Sequence, residues 1–162
     1  SFIPSPSKLI SYLKSLANNE NIISVGHNPL GSLMVILMIV LVSLQAISGL
    51  FINDDVFSSG PYYGTVSKTV EELMFFLHHH IFDYVIAAIA LHLAAIFYYV
   101  RIKKQSLILP MIDGKKAAED IDEKNAIKHS KLWLALALVL VTALLVYWLV
   151  VVNAPVVEEY FY

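Results

Sequence analysis

The chain has 162 residues, 58% of them hydrophobic and 15% charged, with a formal net charge of −2 and a mean hydropathy of +0.69. Soluble domains carry about 25% charged residues, so this balance excludes a soluble globular domain, and the small net charge argues against a nucleic-acid partner. The absence of cysteine excludes disulfides, thiolate metal sites, iron–sulfur ligation and covalent c-type haem attachment.

Residues 1–30 are polar and hold a short amphipathic stretch, Ser7 to Leu16. Its Lys8, Leu9, Ile10, Tyr12, Leu13, Lys14 and Leu16 fit a helix lying on a membrane surface, more a connector than a functional element. A first span is expected over about 31–52, its apolar run Leu33 to Ile52 carrying no charge. Crossing about 30 Å of hydrocarbon takes about 20 apolar residues. Residues 53–70, with Asp54-Asp55, Gly60-Pro61 and Tyr62-Tyr63, read as a loop with interfacial aromatics. A second span is expected over about 71–100, its apolar run Leu73 to Val100 containing one carboxylate, Asp83. A loop of mixed charge follows, then a third uncharged span over 132–152 and a tail at 153–162. Valine and isoleucine are abundant, but segments this long satisfy their backbone in lipid only as helices. The predicted fold is an all-α transmembrane bundle spanning 31–152, with three membrane-spanning helices.

Lysine and arginine orient it. The amino-terminal segment has Lys8 and Lys14, and the 101–131 loop has Arg101, Lys103, Lys104, Lys115, Lys116, Lys124, Lys128 and Lys131. The 53–70 loop has Lys68 alone and the tail has none. The positive-inside rule therefore puts the start and the 101–131 loop in the cytoplasm, with the 53–70 loop and the carboxy terminus outside.

Six histidines occur, at 27, 78, 79, 80, 92 and 129, and four belong to the second span. Ionisable groups in a membrane helix mark function by default. At about 100° per residue, the 14-residue interval from His78 to His92 falls about 40° short of four turns, so the two share a face. His79 and His80 lie about 140° and 120° away from His92 and read as rim residues. His78 and His92 are about 21 Å apart along the axis, too far for one metal and suited to two centres at different depths. Neutral imidazole is a good axial ligand for haem iron, whereas zinc wants ligands converging from adjacent turns. Gly49, near the depth of His78, offers either clearance for a macrocycle or close helix packing. Asp83 is expected to pair with a polar neighbour or line a proton path. The contrasting possibility is histidines that only hydrogen-bond between helices.

The run GHNPLG, Gly26 to Gly31, opening a helix that ends in LQAISGLF, resembles the bacterial transmembrane di-haem b-type cytochromes. So does LHHHIFDYVIAAIALH, Leu77 to His92, and the segment Arg101 to Lys116 is similar to their cytoplasmic connector. The family includes cytochrome b-561 and the cytochrome b subunit of nickel–iron hydrogenases, and the resemblance covers roughly Ser1 to Lys116. It implies a four- to five-helix bundle holding two b haems. His78 and His92 would each ligate a different iron, with the opposing histidines on two earlier helices. The chain is thus expected to be a carboxy-terminal fragment lacking those helices. His27 would contact a haem propionate or cap the first helix. The resemblance implies an electron-transfer subunit of the bacterial inner membrane rather than a self-contained enzyme. It would link quinone or a membrane partner to a periplasmic cytochrome c or other redox protein. The alternative is a non-redox structural or assembly subunit.

Overall fold

The computed structural model describes residues 3–18, 28–54, 56, 58–113 and 131–155. The chain is helical. The order is α1 (Pro6–Ala17), α2 (Pro29–Gly49), α3 (Lys68–Arg101), α4 (Ile108–Asp113) and α5 (Leu132–Tyr147), the last continued by a π-helical turn, Trp148–Val152. Among the described residues the only extended pairing is an isolated antiparallel bridge, Asn53 to Ser59. Three helical segments are long and apolar enough to cross a membrane: Pro29–Gly49, Lys68–Arg101 and Leu132–Val152.

The termini of these helices follow from local chemistry. Asn28 precedes Pro29, whose fixed φ suits a first helical position. The Asn28 side-chain oxygen accepts from the Gly31 N–H at 2.7 Å, and its carbonyl accepts from Ser32 N–H at 2.9 Å. The Asn-Pro-Leu-Gly stretch is therefore a helix start. α2 stops at Gly49, three residues before the apolar run ends, because residues 50–52 turn into the following loop. α3 begins at Lys68, earlier than hydropathy suggests: the Ser67 carbonyl accepts from Val70 and Glu71 N–H. Its 34 residues reach about 51 Å, well over the thickness of a hydrocarbon layer of about 30 Å. At the far end Lys104 adopts a left-handed φ of 55°, and Gln105 N–H reaches the Tyr99 carbonyl at 3.0 Å.

The described chain divides into two compact units. One contains α1, the first part of α2, the second part of α3, and α4. There α1 starts from an Ser5 cap and buries Tyr12 and Ser15, leaving Ile10 and Leu13 exposed. The Tyr12 hydroxyl meets that of Tyr99 at 2.7 Å, which docks α1 at the Arg101 end of α3. Burial, followed by the hydrogen bond to Tyr99, pushes the Tyr12 phenol well above its ordinary value of 10.0.

The other unit contains the end of α2, the loop, the first part of α3, and α5. The loop folds back on α2: Gly60 N–H bonds the Ile52 carbonyl at 2.7 Å and Tyr62 N–H bonds the Leu50 carbonyl at 2.8 Å. Asp54 closes the tip by accepting from Val56 and Ser58 N–H. The Tyr62 ring lies 5.7 Å from that of Phe51. Its hydroxyl donates to the Leu149 carbonyl at 2.8 Å, inside the π turn. α5 buries none of its residues. An apolar exterior is what lipid as solvent calls for.

Two outcomes check this description. A Cβ at position 60 would lie 2.5 Å from the Gly49 and Leu50 carbonyl oxygens, so Gly60→Ala is expected to cost about 1–3 kcal/mol in detergent unfolding. The folded state keeps Tyr12 neutral, so its contribution is present in full below the ordinary value of 10.0 and is lost as pH rises above it. Unfolding temperature should fall between pH 9 and pH 11, and less steeply in Tyr12→Phe.

Candidate functional site: the His78 notch

α2 is uncharged and mostly apolar, and near its end Gln45, Ser48 and Gly49 lie within about one turn and a half. These residues meet His78 of α3. His78 Nδ1 is 3.1 Å from the Gln45 carbonyl oxygen and 3.2 Å from Ser48 Oγ, and Nε2 is 3.0 Å from the Gln45 side-chain nitrogen. A carbonyl can only accept and an amide N–H2 can only donate. The set is consistent with one neutral tautomer: Nδ1–H donating to the Gln45 carbonyl, and Nε2 offering its lone pair to the Gln45 amide. These hydrogens are assigned from the network. The Gln45 Oε1 atom is buried without a partner, so the amide is committed to His78 by its nitrogen alone. Gly49 makes the approach feasible, since a Cβ there would stand 3.0 Å from His78 Cε1.

The other histidines differ. His79 and His80 are exposed, each with Nδ1 on the carbonyl four residues back, at 2.9 Å (Phe75) and 2.8 Å (Phe76). Their rings lie against those of Phe75 and Phe76. They point away from the notch, as the helical register predicts. His92 is half-buried and has no hydrogen-bond partner among the described residues. α3 is unbroken from 68 to 101, so the 14-residue interval keeps its helical register. Ile81 and Ala88, each 6% exposed, lie between the two histidines on the same stripe. Asp83 is exposed and unpaired among the described residues rather than engaged with a neighbour. A charge there facing lipid would cost about 2.5–3.5 kcal/mol. His27 and His129 lie outside the described residues.

Sequence reading missed Gln45 and Ser48. The available signal was two polar side chains at a three-residue spacing in an apolar helix, at the depth of an ionisable residue on the next span.

The donor chemistry suits haem iron. A ligating imidazole usually donates its other N–H to a carbonyl or carboxylate, which fixes the tautomer and strengthens the ligand. His78 does this through Gln45. Nε2 has a single lone pair, so the Gln45 amide and an iron are alternatives at that atom. Among the described residues no three His, Asp or Glu side chains converge, whereas haem asks only one axial donor of each side.

Three helices long and apolar enough to cross a membrane define a multi-pass integral membrane protein. A family profile described as prokaryotic cytochrome b561 matches residues 4–114, more than half of the chain, and the chain belongs to that family. It is accordingly a multi-pass membrane b-type cytochrome of electron transfer, and haem b is the cofactor the family implies. No curated protein and no solved structure matches the chain.

The tautomer can be read directly. Nitrogen-15 spectra of histidine-labelled protein free of haem should show His78 neutral with its proton on Nδ1, and a proton on Nε2 instead would contradict the notch geometry.

Proposed function

We propose that the protein passes electrons between the quinone pool or a membrane partner and a periplasmic redox protein, with His78 and His92 each supplying one axial ligand to a separate b haem. The observation that carries this reading is the His78 ring, held by its Nδ1–H with the Nε2 lone pair presented. Haem b supplies a reversible one-electron iron couple when bound.

His78 and His92 stand about 21 Å apart along α3, which suits one centre in each leaflet. The opposing ligands come from elements other than α3 on this reading, since all the described histidines lie on α3. Gly49 gives room to the His78 ring, and on this reading to the edge of a macrocycle as well. Asp83 and His80, exposed on the half of α3 that carries His78, are suited to the proton transfer that quinone chemistry requires. The segment 1–30 and the 101–131 loop are cytoplasmic and the 53–70 loop and residues 153–162 periplasmic, in a bacterial inner membrane. The cation count supports this, and so does Tyr12, which ties the amino-terminal helix to the end of α3 from which the basic loop departs.

One observation favours a second reading, a structural subunit. Both ring nitrogens of His78 have partners in α2, as an interhelical hydrogen-bonding histidine would. A single experiment separates the two. The complete gene product, purified from its membrane, should give a reduced-minus-oxidised b-type spectrum. His78→Ala and His92→Ala should each remove about half of that signal, and His79→Ala none. A colourless protein expressed at full level would establish the structural reading.

A further inference from the structure

We propose that Ser48 is a positioning residue that holds the Nδ1–H of His78 and thereby sets the reduction potential of the centre His78 serves. The inference rests on the haem-ligand reading above and names a residue that reading does not need.

Ser48 is 1% exposed, the most buried described side chain. A hydroxyl has one proton and two lone pairs. Ser48 Oγ is 2.8 Å from the Leu44 carbonyl oxygen and 3.1 Å from that of Gln45. The shorter contact, to the carbonyl four residues back, is the usual destination of a helical serine proton. With that proton placed, the oxygen has only lone pairs for His78 Nδ1 at 3.2 Å. The Gln45 carbonyl, 3.1 Å from the same nitrogen, likewise can only accept. Two acceptors therefore share one ring N–H.

The opposite assignment is poorer at Nδ1. With the ring proton on Nε2, the Nδ1 lone pair would face the Gln45 carbonyl lone pairs. Ser48 would also have to withdraw its proton from Leu44. A serine in a helix needs no partner beyond its own backbone, so back-bonding alone does not explain the site. What distinguishes Ser48 is the imidazole nitrogen brought against its remaining lone pairs in a place closed to solvent.

The consequence is chemical. Acceptors on Nδ1–H draw the proton off the ring and increase electron density at Nε2, which makes the imidazole a stronger ligand and favours ferric over ferrous iron. Removing Ser48 Oγ leaves Gln45 as the sole acceptor and weakens that effect. The backbone carbonyl is out of reach of mutation, so Ser48 is the side chain through which sequence can adjust this ligand.

The test is a redox titration of the complete, haem-loaded protein in membranes, followed at the b-type absorption band. Ser48→Ala should move the midpoint of one component to a more positive potential and leave the other in place. Ser48→Thr, which keeps the oxygen and its back-bond, should return it towards the wild-type value. The component that moves should be the one lost in His78→Ala. Unchanged midpoints in Ser48→Ala, or a shift in the component that His78→Ala retains, would overturn the proposal. If His78→Ala loses no component, the ligand assignment itself has failed. If it loses one and Ser48→Ala shifts nothing, only the role of Ser48 has failed. Ser48→Ala deletes one oxygen, and the absorption band itself reports that the variant folds and loads haem.

Discussion

An imidazole placed among hydrocarbon has to find a partner for its N–H, and in this protein α2 provides one from its own backbone. The Gln45 carbonyl accepts from His78 at 3.1 Å. In water such a bond would be one of many equivalent exchanges; in lipid the alternative is an unsatisfied polar group costing several kcal/mol. The rest of the notch follows from this. Ring and backbone meet this closely because α2 carries no Cβ at position 49, where one would stand 3.0 Å from His78 Cε1. Ser48 is polar in an apolar segment because its oxygen lies where the ring nitrogen arrives.

Gly49 and Leu50 are used from two sides. His78 packs where the Cβ of Gly49 would be, and Gly60 comes so close to the carbonyls of Gly49 and Leu50 that a Cβ would overlap them. The loop thereby caps the end of α2 with backbone hydrogen bonds from Gly60 and Tyr62. One short stretch of main chain thus joins the ring site to the extramembrane loop. The same loop sends the Tyr62 hydroxyl to Leu149, in the turn where α5 widens to π-helical geometry. Leu149 lies in the last turn of that helix, where carbonyls lack intrahelical partners, and the tyrosine takes one of them.

The three spans were legible because about 20 consecutive apolar residues admit few alternatives in lipid. Their ends were less so. Hydropathy carries the first span to Ile52, but Gly49 ends α2 because the next residues bond to the loop. It starts the second near 71, but α3 begins at Lys68 because a polar first turn is still helical. The shared face of His78 and His92 was legible from helical arithmetic, since α3 is unbroken. Gln45 with His78, 33 residues apart, and Tyr12 with Tyr99, 87 apart, were not. Such contacts leave no periodicity and depend on which faces of separate elements meet. Asp83 was expected to find a partner on physical grounds, and the described residues supply none.

His78 and His92 occupy equivalent positions on one helical stripe, yet they are prepared differently. The His78 ring is oriented before any ligand arrives, with its proton and lone pair assigned by backbone and side chain of α2. The His92 ring, half-buried between small residues such as Ala88 and Ala95, has no such constraint among the described residues. A preoriented donor loses little rotational freedom on binding, whereas an unconstrained one loses more and adapts to the geometry its partner imposes. If each histidine serves its own haem as proposed, the two centres should differ in rigidity and in donor strength, with the more basic ligand at His78. On that proposal, unequal potentials would originate in a serine, a glycine and one carbonyl on the neighbouring helix.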